Sequence, residues 1–449
     1  MKIAIIGRGS IGYTLAYNLI NTCNQNTEIE IYGDDNCSFS ASRAAGAMLN
    51  ILSEVDIFNS NTKISEFKLK NHSTAIQAWH DLENSFKNDR ILQGSLIKGE
   101  GTQIQIDNNC ENELEKLNYD EIRLKAKQYR IKTSEFKKGN FDCTLIPQEK
   151  SVDSNLYMNT LESFLEEKIN FNRNNVIKIE KSENNWFVFD DKGIKKSFTH
   201  IILAAGSWSE EIIKRSNLGS DINVKSYFGI GSALDLSSEF DNYEIKKRDR
   251  IYRSPNRGGT CGIHFVQREN SFYIGASSMV CKNPHKYPRL VSIEKLIQGA
   301  NSFLEIDIER LSSNILTGYR PVTSDFTPMI GEIDKNLLVI YGTKRDGFTW
   351  APYITKHCAM SLVNQTSPEW EEILEICNPL RKIYSAGDPE KCIENYILNK
   401  KYAALQHDKY ITKREESELR DIAKEAHRKI GIKNFGIEPE LINVIFYGN

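Results

Sequence analysis

The fold is decided by the stretch KIAIIGRGSIG, residues 2–12 of a 449-residue chain. Its apolar half, residues 2–6, predicts a buried parallel strand. Three glycines follow at the spacing of a dinucleotide-binding turn. Gly7 permits the tight turn, Gly9 lets the backbone approach a phosphate, and Gly12 lets the next helix pack closely on the strand. The stretch therefore indicates a Rossmann-like domain that binds a dinucleotide, with a purely structural turn as the alternative.

The helix predicted over residues 10–22 supports the same interpretation. Its free N–H groups and positive dipole end would stabilise a pyrophosphate. We therefore expect Ser10 and Ile11, at the start of this helix, to contact the cofactor together with the three glycines.

The second predicted strand, residues 28–32, should end beside the ribose of the dinucleotide. The carboxylate expected at that place is replaced by Gly33, and Asp34 and Asp35 come next. Either aspartate could bind the ribose hydroxyls, or one of them could only cap the loop.

Bulk composition excludes several classes of function. The 58 basic and 60 acidic residues give a net charge of -2, which offers no case for a nucleic acid or an anionic membrane as partner. No apolar run approaches a membrane span, and a strand that starts at residue 2 leaves no room for a signal peptide. The nine cysteines show no CxxC spacing, which argues against a zinc site or a disulfide framework. We expect a cytoplasmic protein without a metal.

A run of small residues, NCSFSASRAAGAML, occupies positions 36–49. Small side chains let backbone and hydroxyl groups approach a flat ligand, although a helix packed tightly through alanines is the alternative. The run resembles the Ser-rich, Ala-Ala-Gly-Met-Leu-like segment of the D-amino-acid oxidase and glycine oxidase superfamily of flavoproteins, which includes the sarcosine oxidases. The resemblance covers about residues 1–360 and implies FAD as the cofactor.

The resemblance implies cofactor contacts in this run and departs from the family at two of them. Ser42 and Ala44 follow the family pattern, whereas Arg43 is large and charged where the family has a small residue. Ala47 places a small residue where many relatives have a bulky one near the flavin.

Two segments in the middle of the chain add to the resemblance. The stretch IILAAGSWS, residues 201–209, is similar to the strand–Ala-x-Gly-x-Trp element of the family, which implies that Ala205, Gly206 and Trp208 lie on the pyrophosphate side. In relatives a valine on a nearby strand offers its backbone to the adenine, which makes Val176 a candidate. A strand-end turn and an ordinary core valine are the structural alternatives.

The stretch GYRPVTSDFTPMIG, residues 318–331, is the sharpest match to the family. Amine-oxidising relatives carry a similar Gly-x-Arg-Pro-x-Thr-x-Asp signature, which implies that Arg320 binds the substrate carboxylate. A guanidinium suits bidentate capture of a carboxylate. The alternative is an ion pair with Asp325 or another acid. His264 is the second candidate for catalysis because it falls near a strand that faces the flavin in relatives, although a histidine at the pocket edge or surface is the plainer interpretation.

The stretch YGTKRDGFTWAP, residues 341–352, resembles the late flavin-binding loop of the family. Backbone N–H groups at the helix start would face the flavin pyrimidine ring, where negative charge grows on reduction. Thr343 replaces the usual histidine and Lys344 is unusual, which leaves the substrate and the redox tuning open. The candidate cofactor contacts here are Arg345, Asp346, Gly347, Phe348 and Thr349.

These observations predict an α/β fold with three parts. The resemblance implies a Rossmann-like FAD-binding domain assembled from residues 1–75, 146–220 and 316–365. It is interleaved with a β-rich substrate domain over 76–145 and 221–315. A helical C-terminal extension follows at 366–449, and its amphipathic helix needs a partner surface, either its own body or another subunit in a homo-oligomer.

The resemblance implies oxidation of the C–N bond of an amino acid or N-substituted amino acid by hydride transfer to flavin N5, with oxygen as the acceptor. We expect non-covalent FAD, since residues 325–328 lack the cysteine that tethers the flavin in sarcosine-oxidase-like relatives. Two alternatives stay open. One is a flavin dehydrogenase or tailoring oxidase that acts on a larger peptide- or carrier-bound amine, and the other is a non-catalytic nucleotide-binding protein.

Overall fold

The structure is a computed structural model that describes residues 1–36, 39–237, 248–257, 261–269, 271–304 and 311–448. Cys37 and Ser38, which belong to the predicted small-residue run, lie outside the described residues.

Helices occur along the whole of the described chain. They are α1 Ser10–Thr22, α2 Lys63–Lys70, α3 His72–Asn88, α4 Glu113–Gln128, α5 Ser154–Glu166, α6 Ser209–Arg215, α7 Leu290–Leu304, α8 Gly347–Ser361, α9 Pro368–Cys377, α10 Pro389–Leu405, α11 Lys413–Ile430 and α12 Ile442–Tyr447. Short 3-10 turns span Leu52–Glu54, Gly206–Trp208 and Pro439–Leu441.

The strands are β1 Lys2–Ile6, β2 Glu28–Tyr32, β3 Met48–Leu49, β4 Ile97–Lys98, β5 Thr102–Asp107, β6 Ser134–Lys138, β7 Phe141–Ile146, β8 Lys150–Val152, β9 Asn170–Asn172, β10 Val176–Lys181, β11 Trp186–Asp190, β12 Lys195–Phe198, β13 His200–Leu203, β14 Ser226–Ser237, β15 Ile251–Arg253, β16 His264–Gln267, β17 Phe272–Gly275, β18 Met279–Cys281, β19 Ser312–Thr323, β20 Met329–Asp334 and β21 Leu337–Tyr341.

A mainly parallel sheet with the strand order β20-β21-β13-β1-β2-β9 forms the centre of the nucleotide domain. The predicted N-terminal strand is its middle member and pairs in parallel with β2 and β13. Alternate residues of β1 enter two different cores. Ile3 and Ile5 pack with α1 and α8 on one face, while Ala4 and Ile6 pack towards β10–β12 on the other. Both faces are therefore covered, as a parallel sheet requires.

A second, nine-stranded sheet forms the wall opposite the parallel sheet. Its longest pairing joins β14 to β19 in antiparallel register over 12 residues, from Ser226 opposite Thr323 to Ser237 opposite Ser312. This sheet combines β5–β7 with the strands after residue 221, and it takes in the whole of β19. Strand β19 belongs to this sheet although the predicted boundary at residue 316 divides it.

Helix α3 lies on the nucleotide side although most of it falls inside the predicted substrate range. Its apolar face, Trp79, Leu82 and Phe86, is buried in the core that includes α1 and α8. The helix packs there because its amphipathic face has that core as its apolar neighbour.

The C-terminal extension packs on its own chain. Thr412 and Glu415 form the capping box of α11, and Gly431 ends the helix with φ +70°. Ala423 and Ala426 of α11 are buried against α10, α12 and Val322 of β19. The extension therefore covers the back of the strand that carries Arg320.

Within the described ranges, no helix is both long enough and apolar enough to cross a membrane. The same residues contain no cluster of His, Cys, Asp and Glu side chains that could hold a metal ion.

Candidate functional site

A cavity of about 650 Å³ runs between the two sheets. Its walls come from the carboxyl ends of the parallel strands β1, β2 and β13, which is where ligands bind in open α/β sheets. The small-residue run, the end of β19 and the start of α8 close the other sides. Segments far apart in the sequence therefore meet around one space.

The three predicted glycines play different structural parts in the first turn. Gly7 has φ +124°, and a Cβ there would overlap the carbonyl of Ala204. A Cβ on Gly12 would overlap the carbonyl of Gly7, and Gly12 does not line the cavity. A Cβ on Gly9 would meet only Ser42 Oγ, at 3.2 Å, because Gly9 faces the cavity.

The start of α1 is open to an anion. Gly9 is the N-cap residue and provides no side-chain cap. Ser10 and Ile11 line the cavity, and the Ser10 N–H donates to Ser42 Oγ at 2.9 Å. Backbone donors and the helix dipole thus point into the space where a phosphate would lie.

The two candidate aspartates have separate environments. Asp34 lines the cavity, whereas Asp35 lies outside it and forms ion pairs with Arg8, at 2.7 Å, and with Arg173. The hydrogen bond from Arg8 lowers the pKa of Asp35. Of the two candidates for the ribose, Asp34 is consequently the one that faces the cavity.

Arg8 is a residue of this turn that the sequence reasoning did not assign. Its buried guanidinium donates to the Gly33 carbonyl at 2.9 Å and to Tyr13 Oη at 3.0 Å, and it pairs with Glu162. Its contacts link the end of β2 to α1 and α5. The position of Arg8 between two glycines in the sequence does not indicate these distant partners.

The small-residue run approaches the cavity closely, with one exception. Ser42, Ala44 and Ala47 line the cavity. The guanidinium of Arg43 leaves the run and donates to Glu162 Oε2 at 2.7 Å and to Asn159 Oδ1 at 2.9 Å. The large side chain is accommodated because α5 offers it polar partners away from the cavity.

The middle segments line the end of the cavity near β10 and α6. Val176 is buried and contributes to this wall, and Ala205 and Gly206 lie beside the first turn. Trp208 also lines the cavity, and 43% of its surface stays exposed. Its ring contacts Phe228 and Tyr319 edge-on.

The late loop and the start of α8 form the opposite end of the cavity. All five candidates, Arg345 through Thr349, line it. Asp346 is the N-cap residue of α8, provides no side-chain cap, and pairs instead with Lys68. Thr349 Oγ1 donates to the carbonyl of Met48 at 3.3 Å, which fastens the loop to β3.

Arg320 projects from β19 into the same cavity. Its Nη1 donates to the Ser277 carbonyl at 3.1 Å, and its guanidinium lies over Gly231, where any side chain would overlap it. Among the residues that the structure describes, no carboxylate forms an ion pair with Arg320. Asp325, the alternative partner, is buried in a bidentate pair with Arg381 at 2.8 and 3.0 Å.

His264 is buried on the cavity wall and is 5% exposed. Its Nδ1 lies 3.1 Å from the Gly262 carbonyl. Since a carbonyl only accepts, Nδ1 carries the proton and Nε2 is left as an acceptor. Burial, reinforced by the positive charge of Arg253, lowers the pKa of His264 to about 3. The imidazole is therefore neutral at physiological pH.

A chain of buried charges adjoins Arg320, and the sequence reasoning did not find it. Arg253 pairs with Glu54 at 2.7 Å, Glu54 with Arg345 at 3.3 Å, and Arg345 with Glu440 at 3.5 Å. Although burial raises the pKa of Glu54, the charges of Arg253 and Arg345 hold it at about 2. Glu440 also pairs with Lys344 at 2.9 Å. These residues come from distant parts of the sequence, and no local motif marks them.

Comparison with known proteins adds an independent finding. Residues 2–360 match the sequence profile of the DAO family, described as FAD dependent oxidoreductase. No protein with a curated description matches the chain.

Several solved structures share the fold at low sequence identity. Glycine oxidase from Geobacillus kaustophilus superposes with a TM-score of 0.70 at 17% identity, over 85% of this chain and 99% of that one. Iminodiacetate oxidase from Chelativorans sp. BNC1 gives 0.66 at 13% identity, over 82% and 96%. The L-alpha-glycerophosphate oxidase from Mycoplasma pneumoniae, solved with FAD bound, gives 0.63 at 16% identity, over 83% and 97%.

Proposed function

Since the chain belongs to the DAO family of FAD-dependent oxidoreductases, we propose that it oxidises the C–N bond of an amino acid or N-substituted amino acid. FAD is the cofactor, and the protein is an enzyme. Glycine oxidase and iminodiacetate oxidase, which share the fold, are named for amino-acid substrates of this kind.

The residues on the cavity wall fit FAD along its whole length. We assign the pyrophosphate to Gly9 and the start of α1, the ribose to Asp34, and the adenine to the wall at Val176. The pyrimidine end of the ring system would meet the start of α8. There Arg345 Nε is a buried donor without a hydrogen-bond partner among the described residues, which suits a group that carries negative charge.

The observation that carries the substrate proposal is Arg320 and its surroundings. This arginine lies on the wall of the cofactor cavity, and no carboxylate of the described residues forms an ion pair with it. Because Gly231 has no side chain, the guanidinium lies close over its backbone, and from there it can present its fork to a substrate carboxylate. A carboxylate held there would fix the adjacent amine-bearing carbon in one orientation.

When bound, FAD supplies the acceptor for the hydride that leaves the carbon bearing the amine. The chain's own groups contribute binding and electrostatics. The free N–H groups of α8 would stabilise negative charge on the pyrimidine side. His264 stays neutral and could accept a hydrogen bond through Nε2, for instance from the substrate amine.

We propose oxygen as the electron acceptor and non-covalent attachment of FAD. Residues 325–328 contain no cysteine, and Cys358 is buried in α8. Cys261 does line the cavity, so it is the cysteine to replace should the flavin prove to be covalently attached.

The proposal is tested by mixing the purified yellow holoprotein, under anaerobic conditions, with pairs of amines that differ only in a carboxylate. N-Methylglycine with dimethylamine, and glycine with methylamine, are two such pairs. We expect bleaching of the flavin by the carboxylate-bearing members, and peroxide when air is admitted. Equal rates for both members of each pair would contradict the role given to the carboxylate.

A larger, peptide- or carrier-bound amine is the second candidate substrate. The exposure of Trp208 at the cavity wall favours this alternative, because an exposed aromatic ring suits an extended ligand. Bleaching by an amino-acid residue within a peptide, and not by the free amino acid, would favour it over the first candidate.

A further inference from the structure

The C-terminal extension reaches the substrate end of the cavity through one residue, Glu440. This residue lies in the 3-10 turn Pro439–Leu441, and both of its neighbours in the turn are buried. Leu441 and Ile442 are 0% exposed and pack in the core that also holds Val322, two positions after Arg320. The turn is thereby fixed against the strand that carries the candidate carboxylate clamp.

Glu440 does not itself line the cavity, but its two partners do. Its Oε1 lies 2.9 Å from Lys344 Nζ and 3.5 Å from Arg345 Nη2. All three side chains are largely buried, with exposures of 18%, 16% and 12%. Burial raises the pKa of Glu440, but Lys344 and Arg345 outweigh it and keep the carboxylate ionised. The contact is therefore between full charges in a poorly solvated place.

A backbone hydrogen bond and a contact with an aromatic ring hold Lys344 in place. Its backbone has φ +49°, its N–H donates to the Pro321 carbonyl at 2.9 Å, and its ammonium lies 3.2 Å from the centroid of the Phe326 ring. Glu440 is the acid that pairs with this ammonium among the described residues.

The positive side chains at this end of the cavity differ in the number of carboxylates that they contact. Lys344 and Arg345 share Glu440, and Arg345 also contacts Glu54, which is in turn shared with Arg253. Nearby Asp56 accepts from Asn256 Nδ2 at 3.2 Å and contacts neither Lys344 nor Arg345 as an ion pair. Arg320 alone among the described cavity-wall arginines of this end has no carboxylate contact.

We propose that Glu440 is a specificity-determining residue that acts through Lys344 and Arg345. By offsetting one of their two positive charges, it lowers the charge beside Arg320 and makes the site prefer a substrate with a single carboxylate over one with two. This inference rests on the proposed function, because it takes Arg320 as the carboxylate clamp.

The test measures binding of two inert anions, acetate and malonate, to the FAD-loaded protein by perturbation of the flavin spectrum. In Glu440→Gln the uncovered charge should favour the dianion and raise the malonate-to-acetate affinity ratio roughly tenfold. Glu440→Asp, which keeps the charge, should retain most of the wild-type ratio. The double variant Lys344→Met/Glu440→Gln should return the ratio towards wild type, which a merely structural role of the turn would not do.

Glu394→Gln is the matched control. It removes an ion pair of the same extension, with Arg420 at 2.5 Å, and neither residue lines the cavity. It should leave the ratio unchanged. If Glu440→Gln does not fold, Lys344→Met alone still tests the proposal. It should lower the malonate-to-acetate affinity ratio, because the negative charge of Glu440 is then no longer paired with an ammonium.

The possible failures are distinct. A ratio that is unchanged in Glu440→Gln, or that shifts equally in Glu394→Gln, overturns the inference alone. Acetate binding that does not depend on Arg320 overturns the proposed clamp and, with it, the function.

Discussion

Replacing Arg320 by alanine is the most informative single change, because this residue faces the cavity. Its guanidinium donates to the Ser277 carbonyl and takes part in no ion pair with the described residues. The change should therefore leave both folding and FAD content close to wild type.

The size of the effect follows from the surroundings of the guanidinium. A charge-assisted pair in a desolvated site is worth about 2–5 kcal/mol. Arg320 is only partly buried, so we expect the lower part of this range, about 2–3 kcal/mol, or roughly 30- to 150-fold in the affinity for a carboxylate substrate. Arg320→Lys should recover little, because an ammonium cannot reproduce the planar fork.

The assay is anaerobic stopped-flow reduction of the flavin over a range of substrate concentrations. Arg123→Ala is the control, since it removes a half-buried arginine of α4 whose partner, Glu135, is exposed and does not line the cavity. Loss of FAD and unfolding of Arg320→Ala would refute the assignment in favour of a structural role. Full activity would show that no substrate carboxylate binds there.

Three further predictions concern the cofactor and the extension. Gly9→Val should purify without flavin, because a side chain would fill the space of the pyrophosphate. Gly94→Val is the control and should stay yellow, because a Cβ there meets nothing within 4 Å. A yellow Gly9→Val protein would contradict the assignment of the pyrophosphate to this turn. Precipitation with acid should leave the yellow colour in the supernatant, and colour in the pellet that disappears in Cys261→Ser would instead show a covalent link. Burial raises the pKa of Glu438 to about 8, above its ordinary value of 4.5, so its contribution to stability is complete below that ordinary value and is lost as the pH rises through about 8. The melting temperature should fall over this range, and Glu438→Gln should reduce the fall, while an identical pH profile in the variant would refute the shift.

The sequence alone was sufficient to predict those features that depend on local backbone geometry. The glycine turn after β1 and the capping box of α11 are local patterns, and a few adjacent residues determine each of them. The aspartate after β2 could not be decided in this way. The choice between Asp34 and Asp35 depends on Arg8, whose other partners lie on α5 and at the end of β2.

The ion pairs around the late loop could not be predicted from local sequence patterns, because their partners are far apart in the chain. The pair of Arg345 with Glu54 joins residues 291 positions apart, and the pair of Lys344 with Glu440 joins residues 96 positions apart. Periodicity and motif spacing describe neighbours in the chain, whereas these contacts exist only after both sheets and the extension have packed. The pairing of Asp325 with Arg381 is of the same kind, and it removed the main structural alternative for Arg320.

The order of the strands in the parallel sheet has a consequence for synthesis on the ribosome. Strand β1 is translated first, yet its neighbour β13 and the outer strand β21 emerge much later. The two ends of the cofactor cavity, at the first glycine turn and at α8, are likewise made at very different times. The cavity is complete only after the late loop has left the exit tunnel, so until then the apolar faces of β1 must be covered without help from a bound cofactor.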